Sequence, residues 1–227
     1  MAPTAQRKTA QLPQTPVPRG TLPDEIYRRI RQLILDGGIA PGEMVTIQGL
    51  AHAFGVSPMP VREALQRLTA EKALTVVSGR SVGIPPLKAS RLRDLIRVRV
   101  EIETLATAWA VENLMPDDVD KLAGFVATMS QSIKDGDPSK YVRANHEFHF
   151  VIYGASRSET LILIIEGLWL QVSPYFHLLH GSGNYATANH EHQKLLVALR
   201  NSDAALARDA IRADIEGAAK TLLELLD

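Results

Sequence analysis

Two consecutive prolines, Pro85 and Pro86, sit where neither a helix nor a central strand can continue, and near them the chain changes sign of charge. Up to residue 88 it holds 11 Lys/Arg against 6 Asp/Glu, and from 89 to 227 it holds 14 against 19. The formal net charge of zero therefore hides a basic head joined to an acidic body. A chain divided this way is expected to fold as two units, and only the head carries a field that attracts a polyanion.

Both units can be ordinary globular ones, since 45% of residues are hydrophobic and no staple is needed to hold a core. Cysteine is absent. That removes disulfides, thiolate metal sites and cysteine nucleophiles together and fits a reducing compartment, so a cytoplasmic protein is expected. The longest apolar stretch, residues 161–165, runs at once into Glu166 and Gly167, so no membrane partner is expected, and no signal-peptide core is visible. Residues 1–20 scatter Pro3, Pro13, Pro16 and Pro18 among Thr, Gln and Ala without apolar periodicity, the pattern of a disordered leader.

From residue 21 to 86 the pattern predicts a winged helix-turn-helix. Ile26, Ile30, Leu33 and Ile34 share one helical face, and Gly37-Gly38 ends that segment. A link at 39–42 follows. Thr46 caps a second helix to about Phe54, Gly55 permits a sharp turn, and Ser57 with Pro58 opens a third helix to about Lys72. The β-rich runs 74–77 and 82–84 around Ser78-Gly79-Arg80-Ser81 read as a small hairpin. Ser57, Met59 and Arg62 then lie on the early turns of a recognition helix, Gln48 lies on the helix before it, and Arg80 lies at the wing tip. Plainer roles stay open: Ser57 as a cap only, Arg62 paired with Glu63 or Glu71, and Arg80 as a solvated turn charge.

The phrases Ala40-Pro41-Gly42, Leu50-Ala51, Phe54-Gly55-Val56-Ser57 and Pro60-Val61-Arg62-Glu63-Ala64-Leu65, with Arg67-Leu68 and Leu74 behind them, resemble the DNA-binding domain of the GntR family over residues 24–86. The resemblance implies a sequence-specific regulator that binds double-stranded operator DNA as a homodimer, with Ser57, Arg62, Ser78 and Gly79 as DNA contacts. Pro58 and Gln48 stand where many relatives carry arginine, so the operator does not carry over.

After Pro86 the sequence predicts an all-α antiparallel bundle of six helices over 87–227, giving a mainly α protein overall. The helices fall at about 89–113, 117–135, 138–154, 157–180, 185–200 and 203–226, with a kink at Pro174. Polar groups fall on its apolar stripes. Asn145 and His149 share a face with Val142, Phe148 and Ile152, His192 lies with Leu195, Leu196 and Leu199, and Asp214 lies between Ala210 and Ala218. His192 and Asp214 are each eleven residues from Asp203, about three helical turns, so a hairpin there sets them level and facing. Two imidazoles, a carboxylate and an amide oxygen converging in a bundle suit a divalent metal, zinc-, nickel- or manganese-like; mutual hydrogen bonding is the alternative. Arg99 lies on the stripe of Leu92, Leu95, Ile96 and Ile102, with Glu103 one turn on as its candidate ion-pair partner. His177 and His180, three apart near Pro174, are open between pocket lining, core and surface.

Arg99-Val100-Glu101-Ile102-Glu103, Phe148-His149 and Glu191-His192 resemble the FCD ligand-binding domain of the FadR subfamily in its six-helix form. That resemblance implies a metal on Asn145, His149, His192 and Asp214, the last replacing a usual histidine, and Arg99 clamping a small carboxylate effector. Two rivals are a metal-dependent hydrolase and a ligand-free dimerisation bundle. The hydrolase lacks a general base, because Glu147 and Glu216 turn away from the cluster on their own helices.

Overall fold

The computed structural model describes residues 22–79 and 81–226. The expected leader over residues 1–20 and the wing-tip Arg80 lie outside them. In the head, α1 (Leu22–Leu35) buries Ile26, Ile30 and Ile34 against α3 (Pro58–Ala70), which returns Val61, Ala64, Leu65 and Leu68. Between them, α2 (Ile47–Phe54) starts where the Thr46 hydroxyl accepts from Gly49 N at 2.9 Å. It stops at Gly55, whose φ of 65° is the left-handed turn a side chain would resist. Ser57 occupies the N-cap position of α3, but its hydroxyl makes no capping bond. The reading of Ser57 as a cap only is therefore corrected, because Pro60 at the third helical position has no N–H for a capping hydroxyl to accept from.

The wing is the expected hairpin plus one strand. β2 (Thr75–Ser78) and β3 (Ser81–Gly83) pair antiparallel, and β1 (Met44–Thr46) adds on the far side of β3 with Val45 opposite Val82. Three residues leading straight into a helix carry too little alternation to be read as a strand in advance.

Among the described residues, six α-helices follow: α4 (Ala89–Val111), α5 (Pro116–Asp135), α6 (Pro138–Ala155), α7 (Glu159–Val172), α8 (Asn184–Arg200) and α9 (Ala204–Glu224). Side chains of Asp137, Ser158 and Asp203 cap α6, α7 and α9. Phe148, Ile152, Trp169, Leu195 and Ile211 fill the centre. Pro174 does more than kink the fourth segment. With no N–H to offer, it ends α7, and the chain tightens into a 3-10 segment, Ser173–Leu179. Residues 159–179 are long and apolar enough to cross a membrane by composition, yet half of that stretch is buried, with Leu161, Ile165 and Trp169 turned into the bundle.

Head and body touch through side chains. Arg31 pairs with Glu166 at 2.9 Å, the Tyr175 hydroxyl donates to the Pro85 carbonyl, and His177 Nε2 lies 3.2 Å from the Asp36 carbonyl. His177 also lies over Gly37, whose φ is 69° and where a Cβ would come within 1.9 Å of the imidazole. Gly37→Ala is expected to expel His177 and to strain a left-handed residue, costing about 1–2 kcal/mol in urea unfolding; an unchanged midpoint contradicts this contact.

Within the head, Tyr27 donates to Glu71 at 2.8 Å with Arg67 stacked on its ring. Burial and the Glu71 carboxylate push the Tyr27 hydroxyl up to about 12 from 10.0. A raised folded-state value means that the stabilisation is complete below pH 10 and disappears as pH climbs toward 12. Tyr27→Phe should therefore be less stable than wild type at pH 8, with the gap closing by pH 12; a constant gap contradicts the assignment.

Candidate DNA interface and buried polar site

The head sets Gln48, Arg62, Ser78 and Gly79 around two adjoining grooves. Gln48, Ser57, Met59, Arg62, Ser78 and Gly79 are all exposed. Arg62 borders a groove with Gln48 and Pro58 on one side and a second groove with Ser78 and Gly79 on the other. Its side chain thus stands between the helical pair and the wing. Among the described residues no acid pairs with Arg62, whereas the neighbouring Arg67 pairs with Glu71 at 3.3 Å and Asp24 at 3.7 Å. The alternative pairing of Arg62 with Glu63 or Glu71 is absent. Ser81, which the sequence did not single out, lines the wing-side groove, its hydroxyl 2.6 Å from that of Ser78.

The body gathers its polar groups inside. Helix α6 supplies Asn145 and His149, α8 supplies His192, α9 supplies Asp214 and α4 supplies Arg99. His149 Nε2 lies 3.4 Å from Asp214 Oδ2, and His192 Nε2 lies 3.3 Å from Asp214 Oδ1. One ligand atom from each of the three falls within 4.8 Å of the others. The level pairing expected from the α8–α9 hairpin is thus present. Asn145 lines the same cavity, about 30 Å³, beside Arg99, Trp169 and Phe176. His177 reaches the head instead, His180 is exposed, and neither lines the cavity.

The donor set fits a cation. Neither ring nitrogen of the fully buried His192 has a hydrogen-bond partner, an arrangement that costs stability in an apolar interior unless something else satisfies the ring. Burial alone would raise the Asp214 carboxyl, but the facing His192 and His149 outweigh it and hold it well below the usual carboxylate range. Burial likewise holds His149 below its ordinary value against the pull of Asp214. A carboxylate and two imidazoles thus converge on one point, and these are donor types that a hard-to-borderline divalent ion takes.

Beside this cluster, Arg99 is 2% exposed and uses one edge for Glu103, Nε to Oε1 at 2.6 Å and Nη2 to Oε2 at 3.2 Å. Its Nη1 has no partner. The ion pair and the free edge therefore coexist in one guanidinium, and Glu103, opposing the effect of burial, holds Arg99 above its ordinary value. Two residues that sequence reasoning did not place here complete the surroundings. Trp169 Nε1 donates to Glu103 Oε2 at 3.1 Å, and the Tyr153 hydroxyl donates to the same oxygen at 2.5 Å while lying 3.1 Å from His149 Nδ1. Tyr153 stands four residues after His149, a signal for a shared face that apolar periodicity alone does not separate from core. Glu147 and Glu216 are exposed.

Known proteins agree with both halves. Residues 22–84 match the model of bacterial regulatory proteins of the gntR family, and residues 94–217 match the FCD domain. HTH-type transcriptional regulator McbR of Escherichia coli K12 is 34% identical over 182 residues, covering 79% of this chain and 82% of that protein. The uncharacterised HTH-type regulator BphR of Paraburkholderia xenovorans is 30% identical over 201 residues, covering 85% and 79%. The solved structure of E. coli McbR/YncC superposes with a TM-score of 0.84 at 28% identity, covering 92% of this chain and all of that one. A GntR regulator from Rhodococcus sp. RHA1 shares the fold, with a TM-score of 0.71 at 21% identity over 89% of this chain and 97% of that one. With a gntR-type winged head on an FCD bundle, the chain belongs to the GntR family of DNA-binding transcriptional regulators and is not an enzyme.

Proposed function

We propose that this regulator is a cytoplasmic homodimer of the FadR type, whose affinity for a pseudo-palindromic operator changes when a small carboxylate binds beside a divalent ion in the bundle. The observation that carries the reading is the convergence of His149, His192 and Asp214 within 4.8 Å next to an arginine with an unpartnered Nη1. Charge balance supports it. Arg99, Glu103 and Asp214 sum to one negative charge, a divalent ion turns that to one positive, and a monocarboxylate on Arg99 neutralises it. His149, His192, Asp214 and Asn145 would hold the ion, which when bound supplies a Lewis-acidic anchor for an effector oxygen.

The cavity of about 30 Å³ holds one or two waters, not a metabolite. A wall has to yield, and the 3-10 segment is placed to transmit that movement. Phe176 and Leu179 line the cavity, while Tyr175 and His177 between and beside them hold Pro85 and Asp36 of the head. Ligand binding at the cavity then alters how the heads are carried. For the second protomer, α4 offers a seam of exposed Val98, Leu105 and Trp109 with half-buried Ile102, spaced 4-3-4.

Arg62→Ala is expected to weaken operator binding about 10–100-fold, while metal still raises the melting temperature; undiminished operator affinity contradicts the recognition face. Adding zinc or nickel to chelator-treated protein at a hundredfold excess over Kd should stabilise it by about 2.7 kcal/mol. The double variant His149→Ala, His192→Ala should lose that gain. Equal melting temperatures with and without metal would leave the bundle as a ligand-free dimerisation module.

A further inference from the structure

We propose that Tyr153 is a positioning residue that decides which nitrogen of His149 carries the proton, and so prepares that imidazole as a ligand before any ion arrives; this rests on the metal reading above. The argument begins at Glu103, which is fully buried and surrounded by donors. Arg99 Nε reaches Oε1 at 2.6 Å, and Arg99 Nη2, Trp169 Nε1 and the Tyr153 hydroxyl reach Oε2 at 3.2, 3.1 and 2.5 Å. A carboxylate so occupied only accepts. Tyr153 has one hydrogen, and it goes to Glu103.

The same phenolic oxygen lies 3.1 Å from His149 Nδ1. With its hydrogen committed, it meets that nitrogen as an acceptor, so Nδ1 is the N–H of the ring. In a neutral imidazole the other nitrogen is then a bare electron pair. That nitrogen, Nε2, faces Asp214 Oδ2 at 3.4 Å. Two electron-pair donors confront each other with no proton between them, and a cation resolves the conflict. Glu103, Tyr153 and His149 thus form a carboxylate–hydroxyl–imidazole relay, a longer version of the carboxylate–histidine arrangement that orients ligands and raises their basicity.

The relay has a second end. Glu103 is held by Arg99, so the group proposed to clamp the effector and the group proposed to bind the ion share one hydrogen-bonded chain. Bonds in such a chain polarise one another, which makes the two ligands energetically dependent. Tyr153 itself is buried with its ring beside those of His149 and Phe150, so replacing it by Phe keeps the packed ring and removes only the hydroxyl.

The test uses full-length protein labelled with 15N-histidine. In the metal-free wild type, the His149 ring signals should report the Nδ1–H tautomer, and this measurement needs no variant. In Tyr153→Phe the proton should redistribute to Nε2, toward Asp214, and zinc affinity measured against a chromogenic chelator should fall roughly 10–100-fold. His149→Ala serves as the non-binding control. An Nε2–H tautomer in the wild type overturns the proposal. Wild type that binds zinc, with Tyr153→Phe binding it equally and keeping the tautomer, overturns the positioning role alone; wild type that takes up no zinc overturns the metal reading and this proposal with it.

Discussion

The structure of the body depends on how a bundle tolerates formal charge in its interior. Arg99 and Glu103 are both at 3% side-chain exposure or less, and Asp214 is at 11%. Unpaired, any of them would cost several kcal/mol. Glu103 solves its own problem by collecting every donor in reach, and in doing so it orders Arg99, Trp169 and Tyr153 around it. Asp214 has no comparable set of donors, only two imidazole nitrogens at 3.3 and 3.4 Å. One acid is surrounded by donors and the other faces only two imidazoles, and the proposed ion would balance that asymmetry.

The same packing joins the cavity to the head. The 3-10 segment forms because Pro174 cannot continue α7, and its short pitch turns successive side chains to different neighbours. Phe176 and Leu179 face the cavity, whereas Tyr175 and His177 face the head. A segment held at both surfaces is a physical connection between two sites, which an effector biases only if it binds the two arrangements unequally.

Much of this was legible in advance, for reasons that differ by residue. The short breaks and the 3.6-residue periodicity were enough for the six helices of the bundle. The equal spacing of His192 and Asp214 from Asp203 placed them opposite each other without reference to any partner helix. At Ser57 a cap and a DNA contact coincide, so residue type alone does not separate the two roles, and the capping bond is absent because Pro60 offers no N–H. The strand β1 depends on pairing with a segment almost forty residues away, and Tyr153 and Trp169 join the polar site through Glu103 on another helix. His177 was undecided for a similar reason, since its partner Asp36 belongs to the other half of the chain. Local patterns decide elements, and tertiary contacts decide which polar groups meet.

The central claim is that the bundle gathers ligand atoms around a cation. Anomalous diffraction from crystals of protein purified without chelator tests it most directly. The account predicts one anomalous peak inside the bundle, about 2.0–2.2 Å from Nε2 of His149 and His192 and from a carboxylate oxygen of Asp214. A bundle with no such peak, in which Asp214 is instead hydrogen-bonded directly to both imidazoles, would contradict it.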